Sequence, residues 1–180
     1  MRAVTSIMAL GVAIATSGCV ADRAGADGAA ANSARAALLD ATGASKGTAT
    51  ISETADGFRL VVEGTGLPQG AHGLHIHGVG KCEAPGFTSA GPHWNPAGKM
   101  HGRDAPAGAH MGDLPNLIAG TDGRGRAEAV TAGGRLTGGS MAVLDADGAA
   151  IVVHATADDY RTDPSGNSGA RIACGVFAAD

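Results

Sequence analysis

Apolar residues in this chain come in short runs separated by Gly, Pro, Asn and Asp, and no run sustains a period of 3.6. Such a rhythm predicts β-strands, because alternate strand residues face one side and turn residues punctuate the sheet. The pattern places strands at residues 36–41, 47–53, 58–63, 72–77, 117–119, 126–131, 140–144, 149–154 and 170–176. Asp56-Gly57, Asp122-Gly123 and Asp147-Gly148 stand between strand-like runs, as expected where a turn needs positive φ. The architecture implied is an antiparallel sandwich or barrel. One stretch breaks the rhythm: residues 78–115 carry turn formers throughout and almost no strand signal. A loop of that length inside a compact domain is uncommon and usually functional.

Composition narrows the picture. Thirty glycines among 180 residues suit a turn-rich β protein, and the length suits one domain with a proper core. Met1 and Arg2 precede a nearly uncharged run, residues 3–16, too short to span a bilayer, so residues 1–18 read as a signal peptide and the chain as exported, to the periplasm. Ser17-Gly18-Cys19 resembles a bacterial lipobox, with Thr16 where Leu is usual. Lipidation at Cys19 would tether the protein to a membrane; the alternative is plain cleavage that leaves Cys19 as an unpaired thiol. Residues 19–35, rich in Ala, Gly, Asp, Asn and Ser, read as a flexible tether, and residues 36–180 as the folded domain. Three cysteines then resolve as two plus one, with Cys82 and Cys174 left for a disulfide in an oxidising compartment. Two separate buried thiols are the alternative. A net charge of −4 makes neither nucleic acid nor an anionic membrane surface an evident partner.

The chemistry lies in the histidines. On a strand, residues i and i+2 project from one face, so His75 and His77 can converge on one ion while Ile76 enters the core. His72 has the wrong parity to join them and reads as a packing or supporting residue. His154 ends the apolar run Ile151-Val152-Val153, and the long loop adds His93, His101, His110 and Asp113. Three imidazoles and one carboxylate form a complete tetrahedral shell for zinc. His75, His77 and His154 alone would give copper three nitrogens, short of the tetragonal set that Cu(II) favours. Both sites are filled if one histidine is shared as an imidazolate.

Several motifs together carry a specific resemblance: His75-Ile76-His77, Ser89-Ala90-Gly91-Pro92-His93-Trp94-Asn95-Pro96, His110-Met111-Gly112-Asp113-Leu114, Val152-Val153-His154 and Gly169-Ala170-Arg171-Ile172-Ala173-Cys174-Gly175-Val176. Their order and content resemble the copper–zinc superoxide dismutase family in its bacterial exported form, over about residues 36–177. The resemblance implies an eight-stranded Greek-key β-barrel of sandwich-like architecture. It implies copper on His75, His77, His93 and His154, and zinc on His93, His101, His110 and Asp113, one ion of each per chain. Arg171 would attract and orient the superoxide anion. His93, as the shared ligand, would carry a proton to the nascent peroxide. Asp158 would link a copper ligand to a zinc ligand, here His75 and His101, and Cys82 and Cys174 would form the family's disulfide.

Two departures bear on how the substrate is guided. Cys82 lies eleven residues before His93, further than in the eukaryotic branch, and residues 160–168 are short where that branch has a longer charged loop. Lys81, Lys99, Arg103 and Arg161 are therefore candidate steering cations only. The function implied is dismutation of superoxide to dioxygen and hydrogen peroxide. Its rival is a non-enzymatic envelope lipoprotein that buffers copper or zinc on the same barrel, and a homodimer stands open beside the monomer.

Overall fold

Alternation governs the first strand, Ser33–Leu39 (β1), in which Ala34, Ala36 and Leu38 are buried and the residues between them are not. The computed structural model describes Met1 and residues 32–180; the predicted signal segment and Cys19 lie outside the described residues. Because β1 starts at Ser33, the sheet takes in residues 33–35, which the sequence reading gives to the tether. Ser45–Thr54 (β2) and Gly57–Gly64 (β3) follow as a meander with Ala36 opposite Ala49 and Ile51 opposite Leu60.

The predicted strand 72–77 is broken in two, Gly70–His72 (β4) and Leu74–His77 (β5). The break is at Gly73, whose N–H donates to Thr156 O (2.8 Å) and whose carbonyl accepts from His154 N (2.8 Å). A Cβ there would lie 2.6 Å from Ser168 Cβ, so only glycine fits. β4 pairs with Leu117–Ala119 (β6), whereas β5 pairs with Ala150–His154 (β8). Gly125–Ala132 (β7), Arg171–Val176 (β9) and the two-residue Ala178–Ala179 (β10) complete the set.

Neighbours run β4-β6-β7-β3-β2-β1-β9-β8-β5, with β10 added on β1. Since β4 and β5 are halves of one interrupted strand, the sheet closes on itself with the eight strands the resemblance implies. β4/β5, β6 and β7 are successive neighbours and β8 returns beside β5, which is the Greek-key connection.

Two features expected from the sequence differ in the structure. Residues 140–144 do not form a barrel strand: Val143 and Leu144 bond back to Arg135 and Leu136 (2.9 Å each), with one isolated bridge between Arg135 and Ala142. Their apolar pattern reflects Val143, fully buried, filling the core from a folded-back loop. At Asp56-Gly57 the turn is formed one residue earlier, because Gly57 already pairs with Thr54 and Ala132 inside the sheet. Gly123 (φ 72°) and Gly148 (φ 67°) do take the left-handed conformation.

Inside the barrel the core gathers Leu38, Ile51, Phe58, Leu60, Val62, Ile76, Leu117, Ile151 and Val153, among others. A second, smaller cluster lies outside it: Phe87, Ala90, Ala150, Val152 and Cys174, with Cys82 packed against them. β8 is therefore buried on both faces, Ile151 and Val153 inward and Ala150 and Val152 outward, which is why it reads as a continuous apolar run. Cys82 and Cys174 are joined in a disulfide. Among the described residues no helix is long and apolar enough to cross a membrane.

Candidate metal centre

β5 alternates as its sequence predicts, Leu74 and Ile76 into the core and His75 and His77 to the outer face. That face is covered by the long loop. Ile76 N donates to Gly112 O (2.9 Å), Trp94 N to Ile76 O (2.8 Å) and Gly112 N to Trp94 O (2.9 Å). These bonds lay both limbs of residues 78–115 along β5 and bring His93 opposite His77 and Asp113 opposite His75. His154, at the end of β8, arrives from the other side.

All six predicted histidines and Asp113 meet here. The ring of His93 lies 3.9 Å from that of His75, 4.9 Å from His77, 5.2 Å from His101 and 5.4 Å from His110. Two groups of ligand atoms are mutually close, His75, His77, His93 and His154, and His75, His93, His101 and Asp113. His110 belongs with the second group, because its Nδ1 lies 3.1 Å from Asp113 Oδ1.

Hydrogen bonds outside the cluster fix which nitrogen each ring offers. His75 Nε2–H donates to Asp158 Oδ2 (2.8 Å) and His101 Nε2–H to Asp158 Oδ1 (3.0 Å). His77 Nδ1–H donates to Gly91 O (2.8 Å) and His154 Nδ1–H to Gly169 O (3.1 Å). The opposite nitrogens, His75 Nδ1, His77 Nε2, His101 Nδ1 and His154 Nε2, are buried without a partner. Buried polar atoms almost always find a partner, so four orphaned lone pairs, those of His75, His77 and His154 in the first group and that of His101 in the second, mark a metal centre. The Asp113 side says the same. Its Oδ1 sits 2.8 Å from His93 Nδ1 and 3.1 Å from both His101 Nδ1 and His110 Nδ1. With its proton committed to Asp158, His101 turns a bare lone pair on a carboxylate oxygen, a repulsion that a metal ion between them removes. Zinc about 2.0 Å from each donor would set tetrahedral donors roughly 3.3 Å apart, close to these separations. The residues fit the two ions the resemblance implies.

Burial sets the charge states. Desolvation holds the His77 imidazole down at about 2, His154 at about 3 and His93 at about 4, the last against the pull of Asp113. His75 is lowered for the same reason, opposed by Asp158. These rings are neutral, as ligands must be. Burial alone would raise Asp113, but hydrogen bonds from His93 and the Gly102 N–H, with His110 and His101 nearby, bring it to about 2. Asp158 is likewise lowered: its burial opposes the shift, and the bonds from His75 and His101 overcome it.

A cavity of about 830 Å³ opens on the cluster, lined among others by His77, His93, His154, Lys99 and Arg171. Arg171 reaches its rim, with Nη1 donating to Phe87 O (2.6 Å) and Nη2 to Gly91 O (2.8 Å). Of the four candidate steering cations only Lys99 lines the cavity; Arg161 pairs with Asp104 (3.4 Å) and Arg103 stacks over Tyr160. His72 stays outside the cluster, its Nδ1 2.8 Å from His154 O and its Nε2 2.8 Å from Pro68 O.

Other residues of the site give no sign in the sequence. Asn116 clasps Asp158 through its side chain, accepting from Asp158 N (2.8 Å) and donating to Asp158 O (2.9 Å). Asp163 accepts from His101 N (2.6 Å). Single polar residues in turns have no pattern by which to be found.

A Greek-key barrel bearing a buried cluster of six histidines and an aspartate, arranged for two ions, defines a dinuclear metalloprotein. Residues 45–177 match the model of the family described as copper/zinc superoxide dismutase (SODC). The chain is 46% identical over 157 residues to the superoxide dismutase [Cu-Zn] of Deinococcus radiodurans, covering 81% of this chain and 84% of that protein. With the superoxide dismutase [Cu-Zn] of Caulobacter vibrioides it shares 43% over 148 residues, 81% and 85% of the two chains. The crystal structure of a SOD-like protein from Bacillus subtilis superposes with a TM-score of 0.76 at 39% identity, over 80% of this chain and 97% of that one. The chain belongs to the copper/zinc superoxide dismutase family.

Proposed function

We propose that the protein is a superoxide dismutase that converts two superoxide anions and two protons to dioxygen and hydrogen peroxide. The observation that carries the reading is the set of four orphaned imidazole nitrogens divided between two adjoining ligand groups, beside a cavity with an arginine at its rim. Copper is assigned to His75, His77, His93 and His154, and zinc to His93, His101, His110 and Asp113. The assignment follows from counting free nitrogens. His75 spends Nε2 on Asp158 and has one left, so it serves a single ion; His93 turns Nδ1 to Asp113 and keeps Nε2 for the other group. Among the shared rings only His93 can face both ions.

Copper supplies the reversible one-electron chemistry that zinc cannot. The residues of the chain do the rest. Arg171 offers a guanidinium at the rim, held by two carbonyls and, among the described residues, facing no carboxylate across a salt bridge, so its charge can draw and orient a small anion. His93, lining the cavity, can hold a proton at Nε2 within reach of the nascent peroxide. Asp158 and Asp113 fix the rings around it, and the disulfide and the bonds to Ile76 order the loop that bears them.

Export to the periplasm, removal of residues 1–18 and a lipid anchor at Cys19 form part of the same proposal, supported by the short apolar run and the Ser17-Gly18-Cys19 sequence. Purified mature protein should hold close to one copper and one zinc per chain and dismutate superoxide. Removing copper should abolish the activity, and zinc alone should not restore it. Ions bound with no dismutation would favour a metal-buffering lipoprotein instead.

A further inference from the structure

The two carbonyls that grip Arg171 belong to one turn, residues 87–91, built around the short 3-10 helix Thr88–Ala90. Phe87 opens this turn at φ 53°, ψ 23°, the left-handed region that a residue with a Cβ seldom enters. Its N–H bonds Glu83 O (3.0 Å), and its carbonyl accepts from Ala90 N (3.2 Å) as well as from Arg171. An unfavourable backbone state needs an anchor. Here it is the ring, 2% exposed, packed with Ala90, Ala150, Val152, Cys174 and Cys82 in the cluster outside the barrel. The disulfide enters the loop at Cys82, five residues before Phe87, so the bridge alone does not fix the carbonyl that Arg171 meets.

We infer that Phe87 is a positioning residue for Arg171: its ring, seated on β8 and the disulfide, holds the turn so that the Phe87 and Gly91 carbonyls keep the guanidinium at the cavity rim. The inference rests on reading Arg171 as the cation that receives superoxide. Without the ring the turn can relax from its left-handed start, and Arg171 loses its 2.6 Å acceptor while every metal-binding side chain remains.

A double-mutant cycle on the copper- and zinc-loaded protein tests it, with azide affinity, read from its charge-transfer absorption, as a probe independent of turnover. Phe87→Ala should keep both metals, lower kcat/KM for superoxide about tenfold and weaken azide binding. Phe87→Leu, which keeps apolar bulk, should recover most of both. Added to Arg171→Ala, Phe87→Ala should cost nothing more, because residues acting through one another are not additive. If Phe87→Ala lowers rate and azide affinity equally in both backgrounds, or in neither, Phe87 does not act through Arg171 and the inference falls. If Arg171→Ala itself leaves both readouts at the parent values, the reading of Arg171 fails first. Should Phe87→Ala fold poorly, Phe87→Val takes its place, since it removes the ring and, unlike glycine, keeps a Cβ that disfavours the left-handed backbone.

Discussion

At the scale of single residues, the site works by spending one nitrogen of each ring so that the other is left for an ion. Asp158 shows this best, because one carboxylate fixes His75 and His101, one ring on each side of the centre. Asp158→Asn keeps the shape but no longer accepts from both rings, and losing such a partner typically costs about 10 to 100-fold in metal affinity. The variant should therefore release zinc at a higher pH than the parent, as a zinc-sensitive dye would record in an acid titration; coincident release curves would show that Asp158 does not support the zinc ligands. The buried rings also make a prediction for the metal-free protein. Burial lowers His77 to about 2, His154 to about 3 and His93 to about 4, from an ordinary value of 6.5. Between those values and 6.5 the unfolded chain binds protons that the folded one refuses, so stability is fully present above 6.5 and drains away as pH falls. Each ring contributes about 1.4 kcal/mol of loss per pH unit over its window. Thermal unfolding of metal-free protein should thus shift steadily to lower temperature from pH 7 to pH 4, and a flat profile would mean these rings are not buried as neutral groups. The ligands were legible because their types and spacing are rare in combination; Asn116 and Asp163 were not, since a lone polar side chain in a turn looks the same whether or not it orients a neighbour.

At the scale of elements, the barrel is a stage on which one strand and one loop are pressed together. β5 could be read from its alternation, but its separation from β4 could not, because Gly73 sits within one continuous strand-like stretch that gives no hint of two different partners. Residues 140–144 misled for a related reason: Val143 is buried, and burial from a loop leaves the same mark as burial from a strand. The loop 78–115 was legible as functional but not in its course, which is set by backbone bonds to Ile76 that no side-chain pattern encodes. Gly112 is where the loop presses against β5. A Cβ there would overlap Ile76 O and lie 3.1 Å from Trp94 N and 3.2 Å from Trp94 O. Gly112→Ala should therefore push the loop off β5, and an overpacked contact of this kind costs about 1 to 3 kcal/mol. We expect a lower unfolding temperature together with reduced zinc content, since Asp113 follows directly. Parental stability and zinc stoichiometry in Gly112→Ala would show that the loop is held by its metal and disulfide alone.

For the whole molecule, the substrate is an anion and the protein carries a net charge of −4. The long-range field therefore repels what the cavity must receive, and attraction has to come from cations close to the metals. Among the described residues only Lys99 and Arg171 supply positive side chains to the cavity wall, while Asp145 and Asp163 line it as well. Arg171 is the one fixed in place, through Phe87 O and Gly91 O. Salt screens charges over a Debye length of about 8 to 10 Å at 0.1 to 0.15 M, so it acts on both the attraction and the repulsion. In the parent, local attraction should dominate and kcat/KM should fall as ionic strength rises. Arg171→Ala removes the fixed attractive charge without touching a ligand, leaving an acidic molecule whose field opposes approach. Its rate should be well below the parent's at low salt and should then stay flat or rise as salt is added. Measuring kcat/KM of both proteins with pulse-generated superoxide between 10 and 200 mM salt, on the order of one Debye length to several across the cavity, decides the matter. A variant whose rate fell with salt as steeply as the parent's would place the guiding charge elsewhere, with Lys99 the first to replace.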